Sequence, residues 1–113
     1  MPADKPMIIA IEEHYADPEL VKHFPPGAQP GVLGPIGKRL HDLTDVRIKE
    51  MDAAGIDMQV LSHGAPATQR LDASVAVDLA RQVNDRLGEL CKAHPKRFAG
   101  FAALPTADPK ASD

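Results

Sequence analysis

Glu12 and His14 are the residues whose types and spacing most directly suggest chemistry in this sequence. They follow a short apolar run at residues 7–11 and are separated by one residue, Glu13. On a β-strand, residues two apart project from the same face, so this carboxylate and this imidazole are expected to point together. They would form half of a divalent-metal site, because an open catalytic site needs at least three protein ligands. A Glu-x-His pair alone is more typical of solvated residues at a strand end, but its position at the carboxyl end of a predicted parallel strand favours a functional site.

Three further residues are candidates for substrate binding. His63, at the expected end of a second strand, could contact a substrate carboxylate or donate a proton. A loop histidine bonded to the backbone is the alternative interpretation. His23 and Phe24 would line a pocket if their loop folds over the strand ends, although Phe24 could equally serve only to anchor that loop.

The elements that would position these residues alternate between strands and helices. Apolar runs predict three strands, at residues 7–11, 56–62 and 98–104, the first of them buried on both faces. Residues 18–37 hold five prolines and four glycines, which predicts a long irregular loop at the rim of the sheet. Such alternation is typical of an α/β fold with parallel strands joined by helical crossovers.

Helical spacing of apolar residues predicts two full helices and the beginning of a third. The first covers residues 38–54, with Thr44 or Asp45 as a cap of its main segment and Gly55 as its stop. The second runs from Asp72, a possible N-cap, to His94 and Pro95. Asp108 followed by Pro109 predicts the start of the third helix.

The composition excludes several classes of protein. Hydrophobic residues make up 43% and charged residues 26% of the 113 residues, as in globular domains. A net charge of −3 without basic runs argues against nucleic-acid binding. No apolar stretch is long enough to span a membrane, and no secretory signal is visible. One cysteine, Cys91, excludes an internal disulfide and favours the cytoplasm; we expect it to be packed and unreactive.

Residues 9–15, IAIEEHY, resemble the opening of the metal-dependent amidohydrolase superfamily, amidohydrolase 2 type. More narrowly, they are similar to the aromatic-acid decarboxylase branch, typified by γ-resorcylate and 2,3-dihydroxybenzoate decarboxylases. Three further stretches support the resemblance, at residues 43–56, 60–67 and 95–105. One residue departs from the pattern: His63 stands where an uncharged residue such as Asn is expected.

The resemblance implies that residues 1–113 form the N-terminal segment of one (β/α)₈ TIM-barrel domain, which needs about 250 residues. About three parallel strands and two helices would be present, and we expect the chain to be a truncated piece. Glu12 and His14 would bind one divalent metal, zinc or manganese, with the remaining ligands beyond this chain. The parent enzyme would be a carboxy-lyase that decarboxylates a small hydroxybenzoate-type acid without oxidation, with the metal as Lewis acid for the carboxylate and phenolic oxygen.

Two alternatives stay open at this point. One is a metal-dependent hydrolase of the same superfamily, and the other is a non-catalytic α/β module that associates with itself. In either case we expect the isolated chain to be inactive. An open three-stranded piece would also expose apolar surface, so a homo-oligomer or a partnership with the missing C-terminal part is expected.

Overall fold

A computed structural model describes residues 5–24 and 35–113, in which a three-stranded parallel sheet packs against helices. The strand order is β1-β2-β3, and both neighbouring pairs are parallel. The elements follow one another as β1 (Ile9–Tyr15), α1 (Pro18–Val21), α2 (Pro35–His41), α3 (Asp45–Ala54), β2 (Met58–His63), α4 (Ala73–Ala93), β3 (Phe98–Gly100) and a 3₁₀ helix (Pro109–Ser112). This arrangement confirms the predicted α/β alternation of parallel strands and helices.

Helices cover one face of the sheet, which we call the covered face. Leu61 of β2 is fully buried there against the apolar side of α4, which carries Leu79, Val83 and Leu87. Helix and sheet approach closely at Gly100, where an added Cβ would lie 2.5 Å from Cδ2 of Leu87. The predicted amphipathic helix is therefore confirmed, although the side chain of Asp72 makes no capping hydrogen bond.

The single helix predicted over residues 38–54 is wrong, because the chain forms α2 and α3 with a break between them. The break is stabilised by Asp42, whose Oδ1 accepts hydrogen bonds from the N–H groups of Thr44 (3.0 Å) and Val46 (3.2 Å). Thr44 occupies the N-cap position of α3 but its side chain makes no capping bond. Asp42 thus provides the capping hydrogen bonds at the start of α3 that we expected from Thr44 or Asp45. At the other end of α3, the predicted stop is confirmed, since Gly55 has a left-handed φ of 75°.

The prediction of one irregular loop over residues 18–37 is wrong at both of its ends, where the structure has helices. Pro18 opens α1, because the first helical turn does not need its missing N–H, and the preceding Asp17 accepts hydrogen bonds from two backbone N–H groups. Pro35 opens α2. Residues 25–34 lie outside the described residues, so the rim-loop prediction applies only to them and remains a prediction.

The third strand ends earlier than the predicted 98–104, at Gly100. Beyond it, the backbone of Ala103 bonds to a side chain instead of a strand: its N–H donates to Oδ1 of Asn84 (2.8 Å) and its carbonyl accepts from Nδ2 (2.9 Å). The hydroxyl of Thr68 donates to the carbonyl of Leu104 (2.8 Å). Side chains from helix α4 and from the loop after β2 therefore bond the backbone of residues 103–104, where a longer strand would have formed ladder hydrogen bonds.

The opposite side of the sheet, which we call the open face, is exposed. The prediction that the first strand is buried on both faces is wrong, since Ile9 is 49% and Ile11 68% exposed. Phe101, just after β3, is 66% exposed. Among the described helices, none combines the length and apolar character needed to cross a bilayer.

Candidate functional site

A β-bulge lies in β1 between Ala10 and Glu13. Ala10 pairs with Gln59, and the next regular pair is Glu13 with Leu61, so Ile11 and Glu12 together stand opposite one residue of β2. Glu12 has a φ of 60°, in the left-handed region that residues other than glycine rarely adopt. The candidate metal ligand Glu12 therefore sits at the irregular point of the strand, and not after its end as the sequence predicted.

The bulge decides which face His14 occupies. Beyond it, Glu13 pairs with Leu61 on the covered face and His14 pairs with Ser62 on the open face. Without the extra residue, His14 would lie opposite His63 and belong to the covered face, because a slip of one residue inverts every later side chain. The structure leaves both Glu12 and His14 exposed. Their assignment as metal ligands remains a prediction.

His14 is held by contacts from two other residues. The Oγ of Ser62 lies 3.1 Å from Nδ1 of the His14 ring. From the covered side, Nη2 of Arg47 donates to the His14 carbonyl at 3.1 Å. The ring Nε2 has no hydrogen-bond partner within residues 5–24 and 35–113, so it is the nitrogen available to a metal.

Arg47 ties the elements beneath His14 together. Besides the His14 carbonyl, its guanidinium donates to the carbonyls of Arg39 (3.0 Å) and Asp42 (3.1 Å) and to Oε1 of Gln59 (3.1 Å). Burial holds the pKa of Arg47 below its ordinary value. This side chain thus fixes β1, α2 and β2 relative to α3, and the sequence analysis missed it because its partners are mostly backbone carbonyls.

A second polar cluster lies where β1 and β2 end. The Asp17 carboxylate, 5% exposed, accepts two hydrogen bonds from Arg86 of α4, at 2.6 and 2.9 Å. Burial acts to raise the pKa of Asp17, but the hydrogen bond and charge of Arg86, with backbone N–H donors, outweigh it and lower that pKa. The backbone N–H of Asp17 donates to Nε2 of His63 at 2.8 Å.

His63 uses both of its ring nitrogens on the backbone. Its Nδ1–H donates to the carbonyl of Gly64 at 2.8 Å while Nε2 accepts from Asp17, and burial lowers its pKa, which favours the neutral ring. The ring packs edge-on against Tyr15 and Phe24, with centroids 5.1 and 6.2 Å away. The geometry therefore favours the alternative of a backbone-bonded histidine, although His63 is the last residue of β2 and not part of a loop.

The structure brings His63 and Phe24 together but does not place them on the open face with His14. Phe24 is buried in the core, as an anchor for its loop would be, whereas His23 beside it is exposed. Contact of these three residues with a substrate remains a prediction. Cys91 packs against the core as expected, and burial raises the pKa of its thiol.

The described residues do not complete a metal site by themselves. In the ranges 5–24 and 35–113, no three His, Cys, Asp or Glu side chains come together around a point that could hold a metal ion. Glu12 and His14 supply the types of donor that zinc and manganese accept, a carboxylate oxygen and an imidazole nitrogen. Further donors would have to come from outside these ranges.

Comparison with known proteins places the chain beside aromatic-acid decarboxylases. The gamma-resorcylate decarboxylase of Rhodococcus jostii (strain RHA1) is 45% identical over 106 residues, which cover 92% of this chain and 32% of that protein. The crystal structure of 2,6-dihydroxybenzoate decarboxylase from Rhizobium superposes with a TM-score of 0.78 at 41% identity, over 96% of this chain and 33% of the other.

A third similar protein carries a metal. The dihydroxybenzoic acid decarboxylase of Polaromonas sp. JS666, solved with bound manganese and the inhibitor 2-nitroresorcinol, superposes with a TM-score of 0.77 at 38% identity, over 96% of this chain and 33% of the other. No family model matches the chain. The chain spans about a third of the length of the curated relatives it matches. Its sheet and helices match the N-terminal part of their TIM barrel, which confirms the predicted fold class.

Proposed function

We propose that this chain carries half of a divalent-metal site. The premise is that the chain is homologous to the N-terminal portion of amidohydrolase-fold aromatic-acid decarboxylases. Glu12 and His14 are the two ligands in this proposal. The protein to which such a portion belongs would release carbon dioxide from a small hydroxybenzoate-type acid, as a metal-dependent carboxy-lyase that needs no oxidant or reductant. The observation that carries the proposal is the bulge, because it presents His14 on the open face of the sheet.

The donor types and the relatives both support a divalent metal. The Polaromonas relative binds manganese, and a related 2,6-dihydroxybenzoate decarboxylase was solved in complex with 2,6-dihydroxybenzoate. Manganese is therefore the first choice of metal, with zinc as the second, and a small aromatic carboxylic acid is the proposed substrate. For the location we propose the cytoplasm, since Cys91 is a packed thiol in a chain with no second cysteine.

When bound, the metal would supply a Lewis acid and a template for the carboxylate and phenolic oxygen of the substrate. The chain itself contributes two donor groups and a fixed backbone. Arg47 holds the carbonyl of His14 from the covered side, and Ser62 meets its ring on the open face. Exposed apolar side chains such as Ile9 and Ile11 would keep water from the neighbourhood once the open face is covered.

The proposal is tested by titrating the chain with Mn²⁺ and following paramagnetic broadening of the backbone amide signals of β1, which every variant retains, together with the His14 ring signals where His14 is present. Two protein ligands predict weak binding, which Glu12→Gln should reduce at least tenfold and His14→Gln should abolish at that site. Glu13→Gln is the matched control, because Glu13 neighbours both ligands but pairs on the covered face. Equal loss of binding in Glu13→Gln and Glu12→Gln would contradict the assignment.

Activity assays on the same preparation show whether the isolated chain has catalytic activity. We expect no carbon dioxide release from 2,6-dihydroxybenzoate and no hydrolysis of lactone or amide substrates. Tight one-to-one metal binding with turnover by the 113-residue chain would contradict the half-site proposal, and hydrolysis would favour the hydrolase alternative.

A second candidate function is supported by the apolar open face. Ile9, Ile11 and Phe101 are about half or more exposed, in a sheet whose other face is packed with helices. Such a surface favours association with a further polypeptide, either another copy of this chain or a segment that continues the barrel. Association is compatible with the half-site proposal, because either partner would cover the face that carries His14.

A further inference from the structure

We propose that Ser62 is a positioning residue for His14: its hydroxyl accepts the Nδ1–H of the ring and so leaves the Nε2 lone pair for the metal. This inference rests on the proposed function, because it assigns the ring geometry of a ligand named there. It adds a residue that the sequence analysis passed over.

The contact follows from the strand register. Ser62 and His14 are direct partners in the β1–β2 ladder, and their side chains emerge side by side on the open face. Oγ and Nδ1 are 3.1 Å apart, which is within hydrogen-bond distance. The pairing exists only because the bulge advances β1 by one residue. A regular strand would place Glu13 opposite Ser62.

The direction of the hydrogen bond decides whether the ring can bind a metal. A neutral imidazole has one protonated and one free nitrogen, and the bond made by one nitrogen selects the state of the other. If Nδ1–H donates to Ser62, Nε2 carries the free lone pair. Metal-binding histidines commonly donate their second ring N–H to an oxygen acceptor, which fixes both tautomer and orientation.

Arg47 supports the same geometry from the other side of the sheet. Its hydrogen bond to the His14 carbonyl fixes the backbone from which the ring extends. His14 is therefore restrained at its carbonyl and at Nδ1, and its Nε2 remains available. His63 shows the contrast: backbone groups take both of its nitrogens, so neither is left for a metal.

The test compares Ser62→Thr with Ser62→Val in the metal-free chain. The two side chains have nearly the same shape and both suit a strand, but only threonine keeps the hydroxyl. Long-range ¹H–¹⁵N spectra at a pH about two units above the ordinary histidine pKa report which ring nitrogen carries the proton. His14→Gln identifies the signals of His14.

We expect the protein with Ser62 and the Thr variant to hold the His14 proton mainly on Nδ1. The Val variant should reduce the ratio of the Nδ1–H to the Nε2–H form about fivefold, the effect of one net hydrogen bond. The tautomer of His63 should stay unchanged in both variants, which also shows that the sheet has folded. An unchanged His14 tautomer in Ser62→Val would overturn the inference.

Mn²⁺ titration gives a second readout. Loss of a residue that orients a metal ligand should weaken binding about 10- to 100-fold in Ser62→Val, with Thr close to the parent. If the parent chain shows no Mn²⁺ broadening at His14, the proposed function fails, whatever the tautomer. If the parent binds Mn²⁺ and Val binds equally well, the positioning role fails while the ligand assignment stands.

Discussion

The covered face and the open face of this sheet are built from the same three strands but use their side chains in opposite ways. On the covered face, Leu61 and Tyr15 are buried against helices, and a Cβ added at Gly100 would force the side chain of Leu87 to shift. On the open face, Ile9 is half exposed and His14 is exposed. Stability thus comes from one face, and the other holds the groups available for ligands and partners.

The polar groups of the two faces differ as well: those on the covered face bond to other parts of the protein, whereas His14 on the open face is exposed. In the part of the chain that the structure describes, every buried side-chain nitrogen or oxygen has a hydrogen-bond partner. The buried side chains of Asp17 and Gln59 and the half-buried side chain of Arg47 join elements across the covered side. The difference teaches that a charged residue near the strand ends is not by itself a sign of chemistry, because such residues on the covered side are structural.

The largest difference between the faces should appear in a pair of aliphatic truncations. Leu61→Ala removes a fully buried side chain and should lower the free energy of unfolding by about 3 kcal/mol. Ile11→Ala, on a residue that is 68% exposed, should change it by less than about 0.5 kcal/mol. Urea denaturation measures both variants.

Light scattering extends the same comparison to assembly. Ile11→Ala should reduce self-association if the open face is the contact surface, whereas Leu61→Ala should not. Denaturation is therefore measured at a concentration where light scattering shows a monomer, and similar destabilisation of the monomer by the two substitutions would contradict the comparison.

An intermediate effect is expected at the Arg86–Asp17 pair. Arg86→Met leaves the buried Asp17 carboxylate without its cation; because Arg86 is 44% exposed, the cost should be about 2 kcal/mol, less than for a fully buried pair. Arg81→Met, at an exposed position of the same helix, is the matched control and should be nearly neutral. An equal loss in both variants would assign the effect to the helix and not to the pair.

The pH dependence of stability shows whether the Arg86–Asp17 pair stabilises the folded protein. The folded-state pKa of Asp17 lies below its ordinary value, so the pair stabilises the protein above the ordinary carboxyl range and the contribution is lost as the pH falls through the lowered pKa. In Arg86→Met the unpaired carboxyl should prefer its protonated form, and this acid-dependent loss should disappear. Denaturation midpoints measured from neutral pH down to about pH 3 would show it.

A change smaller than that at the Arg86–Asp17 pair is expected at Glu12, and it is a gain in stability. Glu12→Gly relieves a left-handed φ of 60° and should stabilise the chain by about 1 kcal/mol, although it removes a proposed metal ligand. Glu12→Ala removes the same carboxylate but keeps the Cβ, so it should lose Mn²⁺ binding without the gain in stability. Ala67→Gly, at a φ of 49°, should give a similar gain and leave Mn²⁺ binding unchanged. Denaturation of the three variants measures the effect of backbone strain on stability, and Mn²⁺ titration measures the loss of the Glu12 carboxylate as a metal ligand.

The parts of the fold that depend on periodicity could be predicted from the sequence. The apolar spacing of α4 repeats over six turns, and its observed bounds agree with the expected start after Asp72 and end before His94. The break between α2 and α3 was not predictable in this way. Apolar residues continue at helical spacing through it, and the decisive contacts come from one polar side chain, Asp42.

The ligand assignment of Glu12 and His14 stays a prediction, and the geometry around these two residues could not be predicted from the sequence. The expectation that Glu12 and His14 share a face assumed a regular strand. The bulge is a backbone irregularity, set by how β1 pairs with β2, that no local pattern around Glu12 reveals. For the same reason Ser62 was not recognised as a neighbour of His14, since the register that joins them depends on the bulge.

The amide of Asn84 has a consequence for how this sheet can grow. By bonding both the N–H and the carbonyl of Ala103, it occupies the backbone groups that another strand would need in order to extend the ladder beyond Gly100. A free strand edge invites edge-to-edge aggregation, and proteins commonly shield such edges. From within a helix, Asn84 provides this shield at Ala103, just beyond the end of β3. Asn84→Leu would therefore be expected to expose Ala103 and make the chain more prone to form intermolecular β-structure.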